Sequence, residues 1–374
     1  MLPPSSVLNH VLDAHCHPTD SAPISSSALE QLQITICAMS TRQSDQSEVR
    51  LLAERHPTKV VPCFGQCKPA RASFLLLLKG YHPWFSHSIT LKSGVSKETH
   101  YRQLLRPQSE QEFEHLLLSL PIPVALEDLI SELRHNLKAF PHAMLGEVGL
   151  DRAFRLPIDY FAYPRQLTSF TIPIDHQLAI LEAQLELAVE LGRNVSLHSV
   201  KAQQATLQLI DRLSAEHGER WRNISIDMHS CGLSAQMWRE MEVEAVLKPR
   251  LRLNIVLQKK HPNIFMSLST VINSRSENHI SLVKACSDNR ILVESDFHDI
   301  EKCTERTWEM VQIVARVKGW DVESEWVDDI PEDEWGVVHR LEENWRLFKR
   351  GRHTLATRQK KNVVQEWLSE SEED

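Results

Sequence analysis

Ala143-Met144-Leu145-Gly146-Glu147-Val148, a helical stretch over 176–191 and then Asn194-Val195-Ser196-Leu197-His198 together decide the fold of this chain. In the middle stretch Leu178, Leu181, Leu185, Ala188 and Val189 recur at spacings of three and four, with Pro173 and Asp175 ahead and Gly192 behind. That pattern predicts an amphipathic helix with its own start and stop. The runs on either side are short and apolar, as buried strands are. The unit recurs: apolar runs at Val11-Leu12, 34–38, 60–64, 143–148, 194–198, 223–229, 264–269 and 291–295 alternate with helical stretches. Strands alternating with helices predict an α/β fold with a parallel sheet. Eight such units are the number that closes a (β/α)8 TIM barrel, with an open doubly wound sheet as the alternative.

The chain has 374 residues, 42% hydrophobic and 25% charged, which excludes wholesale disorder. Forty-two basic and 50 acidic residues leave a net charge of −8, so no global basic field draws it to nucleic acid. A local patch or a bound metal must supply that attraction. Seven cysteines without paired spacing suit a reducing compartment. The start Met1-Leu2-Pro3-Pro4-Ser5-Ser6 lacks the features of a secretion signal. No uncharged apolar run reaches about 18 residues, so no membrane span is expected. These readings place the protein in the cytoplasm, the nucleus or both.

The barrel is expected over 1–350, with loop insertions. Residues 66–80, containing Phe74-Leu75-Leu76-Leu77-Leu78 without amphipathic period, interrupt the end of the third strand. Residues 151–174 form a long loop rich in proline and aromatics, which reads as a lid or substrate wall. Residues 321–334 carry eight acids and no base; they read as a solvated loop and would suit a protein partner. Residues 351–374 form a charged tail.

Polar groups interrupt the apolar runs at one recurring place. Asp13-Ala14-His15-Cys16-His17 follows the first run, and residues two apart on a strand point the same way, so the two imidazoles converge. Glu147 lies at the end of the fourth run, His198 ends the fifth, His229 the sixth and Asp296 the eighth. Burying such groups beside an apolar strand costs on the order of several kcal/mol unless they are paired or metal-bound. Here it happens at the C-terminal ends of five strands, the catalytic rim of a barrel. Four histidines, one glutamate and one aspartate form a nitrogen and oxygen set without thiolate, suited to Zn, Mn, Co or Mg. Six ligands exceed the needs of one tetrahedral ion, and two divalent ions bridged by Glu147 account for them. Such a pair lowers the pKa of a bridging water and clamps both the attacking and leaving oxygens of a phosphoester.

The ordered set of His-x-His, Gly146-Glu147-Val148-Gly149-Leu150-Asp151, His198, His229 and Glu294-Ser295-Asp296 resembles the TatD-type metal-dependent deoxyribonucleases of the amidohydrolase superfamily. Gln184-Leu185-Glu186-Leu187-Ala188, Leu197-His198-Ser199 and Asn344-Trp345-Arg346-Leu347-Phe348 extend the resemblance over most of the chain. It implies His15, His17, Glu147 and Asp296 on one metal, and Glu147, His198 and His229 on the other. It also implies that Asp296 orients or deprotonates the attacking water. Gly80-Tyr81-His82-Pro83 satisfies the family's Gly-x-His-Pro motif, but so would Gly65 joined directly to Tyr81. Residues 66–80 therefore read as a translated intron or a lineage-specific loop. His82 is expected to contact substrate phosphate rather than metal.

The loops after the ligands depart from the family. His-x-Phe-x-Gly becomes His229-Ser230-Cys231-Gly232, His-Leu-Asp becomes His17-Pro18-Thr19-Asp20, and Phe297-His298-Asp299 follows Asp296. The expected activity is phosphodiester hydrolysis at DNA ends, with Arg152, Arg155, Lys201, Lys259 and Lys260 available to assist. The alternatives are hydrolysis of a small amide or ester, and a protein-interaction scaffold on a retained barrel.

Overall fold

Eight strands pair in parallel and in chain order: β1 (Leu12–Cys16), β2 (Thr35–Met39), β3 (Val60–Phe64), β4 (Met144–Asp151), β5 (Val195–Val200), β6 (Ile226–Met228), β7 (Ile264–Leu268) and β8 (Ile291–Val293). They form the barrel of this computed structural model, which describes residues 2–20, 24–40, 43–64, 82–159, 162, 164–247, 255–355 and 357–358. The expected insertion at 66–80 and most of the 351–374 tail lie outside these residues. Each apolar run of the sequence supplies one strand, although β1 reaches past Val11-Leu12 into the Asp13-Ala14-His15-Cys16 motif.

No strand ladder joins β8 to β1; polar groups close the ring there. Asp296 N–H donates to the His15 carbonyl at 2.9 Å and His17 N–H to the Phe297 carbonyl at 2.8 Å. The buried Asp13 carboxylate accepts Ser295 N–H at 2.9 Å and the Ser295 hydroxyl at 2.5 Å. Burial pushes the Asp13 carboxyl up to about 7, partly offset by these hydrogen bonds.

The helix Ile174–Leu191 matches its sequence pattern and stops at Gly192, whose φ of 62° is left-handed. The last helix among the described residues, Val337–Arg350, plugs the floor of the barrel. Trp345 and Phe348 pack there with Ala14, Cys37, Met39, Cys63, Met144, Phe265 and Leu292. Asn344 holds the helix in place by donating to the carbonyls of Asp288 at 2.7 Å and Ile291 at 2.8 Å. With its floor filled by carbon, the barrel has one polar mouth.

Two additions were not anticipated by periodicity. Between β3 and β4, helices Lys97–Leu105 and Glu110–Ser119 form a satellite cluster in which Tyr101, Phe113 and Leu116 pack with Leu156, Phe170 and Ile172. The long loop after β4 is thereby anchored to that insertion. Between β6 and β7, strands Val243–Leu247 and Ile255–Lys259 pair antiparallel and take Thr357–Arg358 as a third strand. The acidic stretch 321–334 is also more built than a solvated loop. Trp326 stacks between His10 at 3.5 Å and His339 at 3.8 Å, while Glu323 accepts the backbone N–H groups of Val338 and His339. Among the described residues no helix is long and apolar enough to cross a membrane.

Phe348 is fully buried in the floor. Phe348→Ala is expected to cost about 3–5 kcal/mol in equilibrium urea unfolding; a cost below about 1 kcal/mol would contradict the plug.

Candidate metal centre

All eight residues of β4 are buried, and its register against β5 shifts between Leu145↔Val195 and Val148↔Leu197. Glu147 sits inside that shift. Two residues later Gly149, with φ of 157°, passes so close to β5 that a Cβ would lie 2.0 Å from the His198 carbonyl oxygen. Only glycine allows the two strands to bring Glu147 and His198 together.

The two oxygens of Glu147 face different imidazoles. Oε2 lies 3.3 Å from His15 Nε2 and 3.4 Å from His17 Nε2, and the two nitrogens are 3.1 Å apart. Asp296 Oδ1 completes this group, 3.4 Å from His17 Nε2 and 4.0 Å from His15 Nε2. Oε1 lies 2.5 Å from His198 Nδ1, 2.8 Å from His229 Nε2 and 3.1 Å from His82 Nε2. His198 Nδ1 and His229 Nε2 are 3.2 Å apart. Asp296 reaches the mouth from a left-handed backbone, φ 48°, a conformation costing about 1–3 kcal/mol in a non-glycine residue. The structure thus brings all six expected ligands to one place, with His82 beside them.

These spacings suit cations. A tetrahedral ion with nitrogen and oxygen ligands at about 2.0–2.1 Å sets those ligands roughly 3.3 Å apart. The separations on the Oε2 side are close to that value, and those on the Oε1 side are somewhat tighter. The donor set contains no thiolate, as divalent ions of the Zn, Mn or Mg type prefer.

The charges agree with a site built around positive charge. Burial raises the Glu147 carboxyl, but His82, His229, His198 and His15 outweigh it and hold it well below the carboxylate range. Asp296 falls to about 2 because the His17 hydrogen bond and neighbouring imidazoles outweigh burial. Burial lowers His17, yet Asp296 and Glu147 lift it to about 9; burial is likewise outweighed at His198 by Glu147 and Asp151 and at His229 by Glu147 and Glu294, and both are raised. His15 and His82 are lowered, chiefly by burial.

Behind the ligands stands a layer of supports whose roles the sequence did not disclose. Ser196 Oγ meets His15 Nδ1 at 2.7 Å, and Asp151 Oδ2 lies 3.5 Å from His198 Nε2 while accepting the Trp84 indole N–H at 2.6 Å. Glu294 lies 3.6 Å from His229 Nδ1 and accepts Ser230 N–H and its hydroxyl at 2.8 and 2.6 Å. The Ser267 hydroxyl lies between Glu294 and Asp227, at 2.5 and 2.8 Å. It can donate to only one of them. Burial and the Glu294 charge push Asp227 up to about 8, so its own proton serves the second contact. A polar residue two before a ligand, as in Asp13-x-His15, Asp227-x-His229 and Glu294-x-Asp296, is the sequence signal for such supports. The shortened loop after His229 turns at once, with Ser230 at φ 41° and Cys231 buried.

A family model described as TatD related DNase matches residues 12–331. The chain belongs to the TatD-related DNase family. It is 29% identical over 340 residues to the Cut9-interacting protein scn1 of Schizosaccharomyces pombe, covering 84% of this chain and 95% of that one. It is also 29% identical over 299 residues to an uncharacterized deoxyribonuclease of Saccharomyces cerevisiae, covering 78% of this chain and 84% of that one. The crystal structure of YjjV, a TatD homolog from Escherichia coli, shares the fold with a TM-score of 0.51 and 16% identity, over 93% of this chain and 100% of that one. Membership supports a metal-dependent hydrolase of phosphodiester bonds over an amidase or a scaffold on the same barrel.

If His17, His198 and His229 ligate, they must release protons to do so, and ion affinity is expected to rise as pH increases from 6 toward 9, with proton release on binding. Calorimetric titration with Mn²⁺ in buffers of different ionisation enthalpy measures both; an affinity independent of pH over that range would overturn the assignment.

Proposed function

We propose that this protein hydrolyses phosphodiester bonds at DNA ends, with two divalent cations held by the six rim residues. His15, His17, Glu147 and Asp296 hold one; Glu147, His198 and His229 hold the other. The observation that carries this reading is the division of Glu147, each of whose oxygens faces its own group of imidazoles. Bound there, the cations acidify a water and offset charge on a phosphoester. The remaining steps belong to the side chains. The Asp296 carboxylate, ionised at neutral pH, accepts the proton of the attacking water. His82 Nδ1 accepts the Trp84 backbone N–H at 3.3 Å, so the neutral ring carries its own proton on Nε2. That N–H donates to Glu147 Oε1 at 3.1 Å, and a phosphate oxygen bound at the centre would compete for it, which is the substrate contact proposed for His82. A net charge of −8 fits an enzyme that grips few phosphates outside its cations.

A DNA substrate and free, buried cysteines fit the nucleus or cytoplasm. The fission-yeast relative is named for a protein interaction, and the exposed acids Glu325, Asp328, Asp329, Glu332, Asp333 and Glu334 offer a surface for a protein partner.

Purified protein is expected to contain about two ions per chain and to release nucleotides from DNA in Mg²⁺ or Mn²⁺, with EDTA abolishing release. Asp296→Asn should lower kcat by about 10²–10⁴, and Glu147→Gln should lose bound ions together with turnover. EDTA-resistant nucleotide release, or an Asp296→Asn variant retaining over a tenth of the rate, would refute this reading.

A further inference from the structure

β4 and β5 do not stop at the rim. They remain paired through Gly149↔His198, Leu150↔Ser199 and Asp151↔Val200, and Arg152 N–H donates to the Val200 carbonyl at 3.0 Å. The next residue of β5's chain is Lys201. The two cations therefore stand side by side at the tip of a ribbon, three residues beyond the level of His198. At about 3.3 Å per residue that is roughly 10 Å from the ligand level.

Among the described residues no carboxylate pairs with Arg152 or Lys201, and both are exposed. The other bases singled out from the sequence are engaged elsewhere: Arg155 donates to the Thr168 carbonyl and Lys260 pairs with Asp211 at 2.7 Å. The side chain of Lys259 lies outside the described residues. Arg152 and Lys201 thus stand adjacent, exposed and, among the described residues, without a carboxylate partner at the end of the barrel that carries the six rim residues.

Beside the pair is a cleft of about 420 Å³ lined by Arg152, Lys201, Ala202, Gln203, Gln204 and Gln208, with Ala205. Gln203 Nε2 reaches the Gly232 carbonyl at 3.4 Å, which ties the cleft wall to the loop following His229. No aromatic or large apolar side chain lines it, so it offers charge and amide groups but nothing on which a base stacks.

We propose that Arg152 and Lys201 form a subsite for a second phosphate of the nucleic-acid strand, next to the phosphate being cleaved. The inference rests on the phosphodiester reading above and extends it: the subsite reads backbone and is indifferent to sequence. It selects oligonucleotides over isolated phosphodiesters.

The test separates binding from turnover. Fluorescence anisotropy in Ca²⁺ follows a labelled eight-residue phosphorothioate oligothymidylate binding to the full chain, Arg152→Ala, Lys201→Ala and the double variant. The double variant is expected to bind about tenfold more weakly, with its log–log salt slope reduced by about 0.7, the value for one lost phosphate contact on a single strand. The ratio of kcat/KM for the oligonucleotide to kcat/KM for bis(4-nitrophenyl) phosphate in Mn²⁺ should fall by a similar factor. Equal affinity and slope in the double variant, or no binding by the unaltered chain at low salt, overturns the subsite. If the unaltered chain binds the oligonucleotide with the expected dependence yet cleaves neither substrate, the hydrolase reading fails and the subsite stands.

Discussion

One buried carboxylate organises this molecule. Glu147 is 2% exposed on a strand whose every residue is buried, where an isolated charge is untenable. Its two oxygens are surrounded by five imidazoles from four separate parts of the chain. Each imidazole is itself buried or nearly so. Carboxylate and imidazoles thus justify one another's burial, and divalent cations are the groups that satisfy all of them together.

The barrel makes that convergence happen. Trp345 and Phe348 close the lower end, leaving polar residues one opening. The ring is completed at that same opening, where Asp13 clasps Ser295 and Asp296 N–H meets the His15 carbonyl. Closing the barrel and assembling half of the metal centre are therefore a single event, because Ser295 and Asp296 are adjacent and Asp13 lies two residues from His15. Gly149 plays the corresponding part across β4 and β5: its missing Cβ permits the approach that brings Glu147 against His198.

The eight strands were legible because each is a short apolar run, and apolarity along the chain is a local property. The six candidate ligands were legible because each is a polar residue at the end of such a run. The helices Lys97–Leu105 and Glu110–Ser119 were not, since the face they bury is matched by Leu156, Phe170 and Ile172 from a distant loop rather than by the barrel. The antiparallel pair Val243–Leu247 and Ile255–Lys259 escaped for a similar reason: the alternation of helices and strands had already assigned that part of the chain to a crossover. The acidic stretch looked solvated because composition counts charges and does not see Trp326 lodged between two histidine rings.

The sequence by itself determined the architecture, the candidate ligands and their common position at strand ends, because all three follow from which residue types adjoin which along the chain. Only the folded structure decided how the candidate ligands divide between the oxygens of Glu147, which buried groups support them, and that His82 Nε2 lies against Glu147 Oε1. It likewise decided that Arg152 and Lys201 stand side by side at the tip of the β4–β5 ribbon without a carboxylate partner among the described residues. Those outcomes depend on distances between residues tens to hundreds of positions apart, and such distances are set by ring closure and strand register, which no local pattern contains.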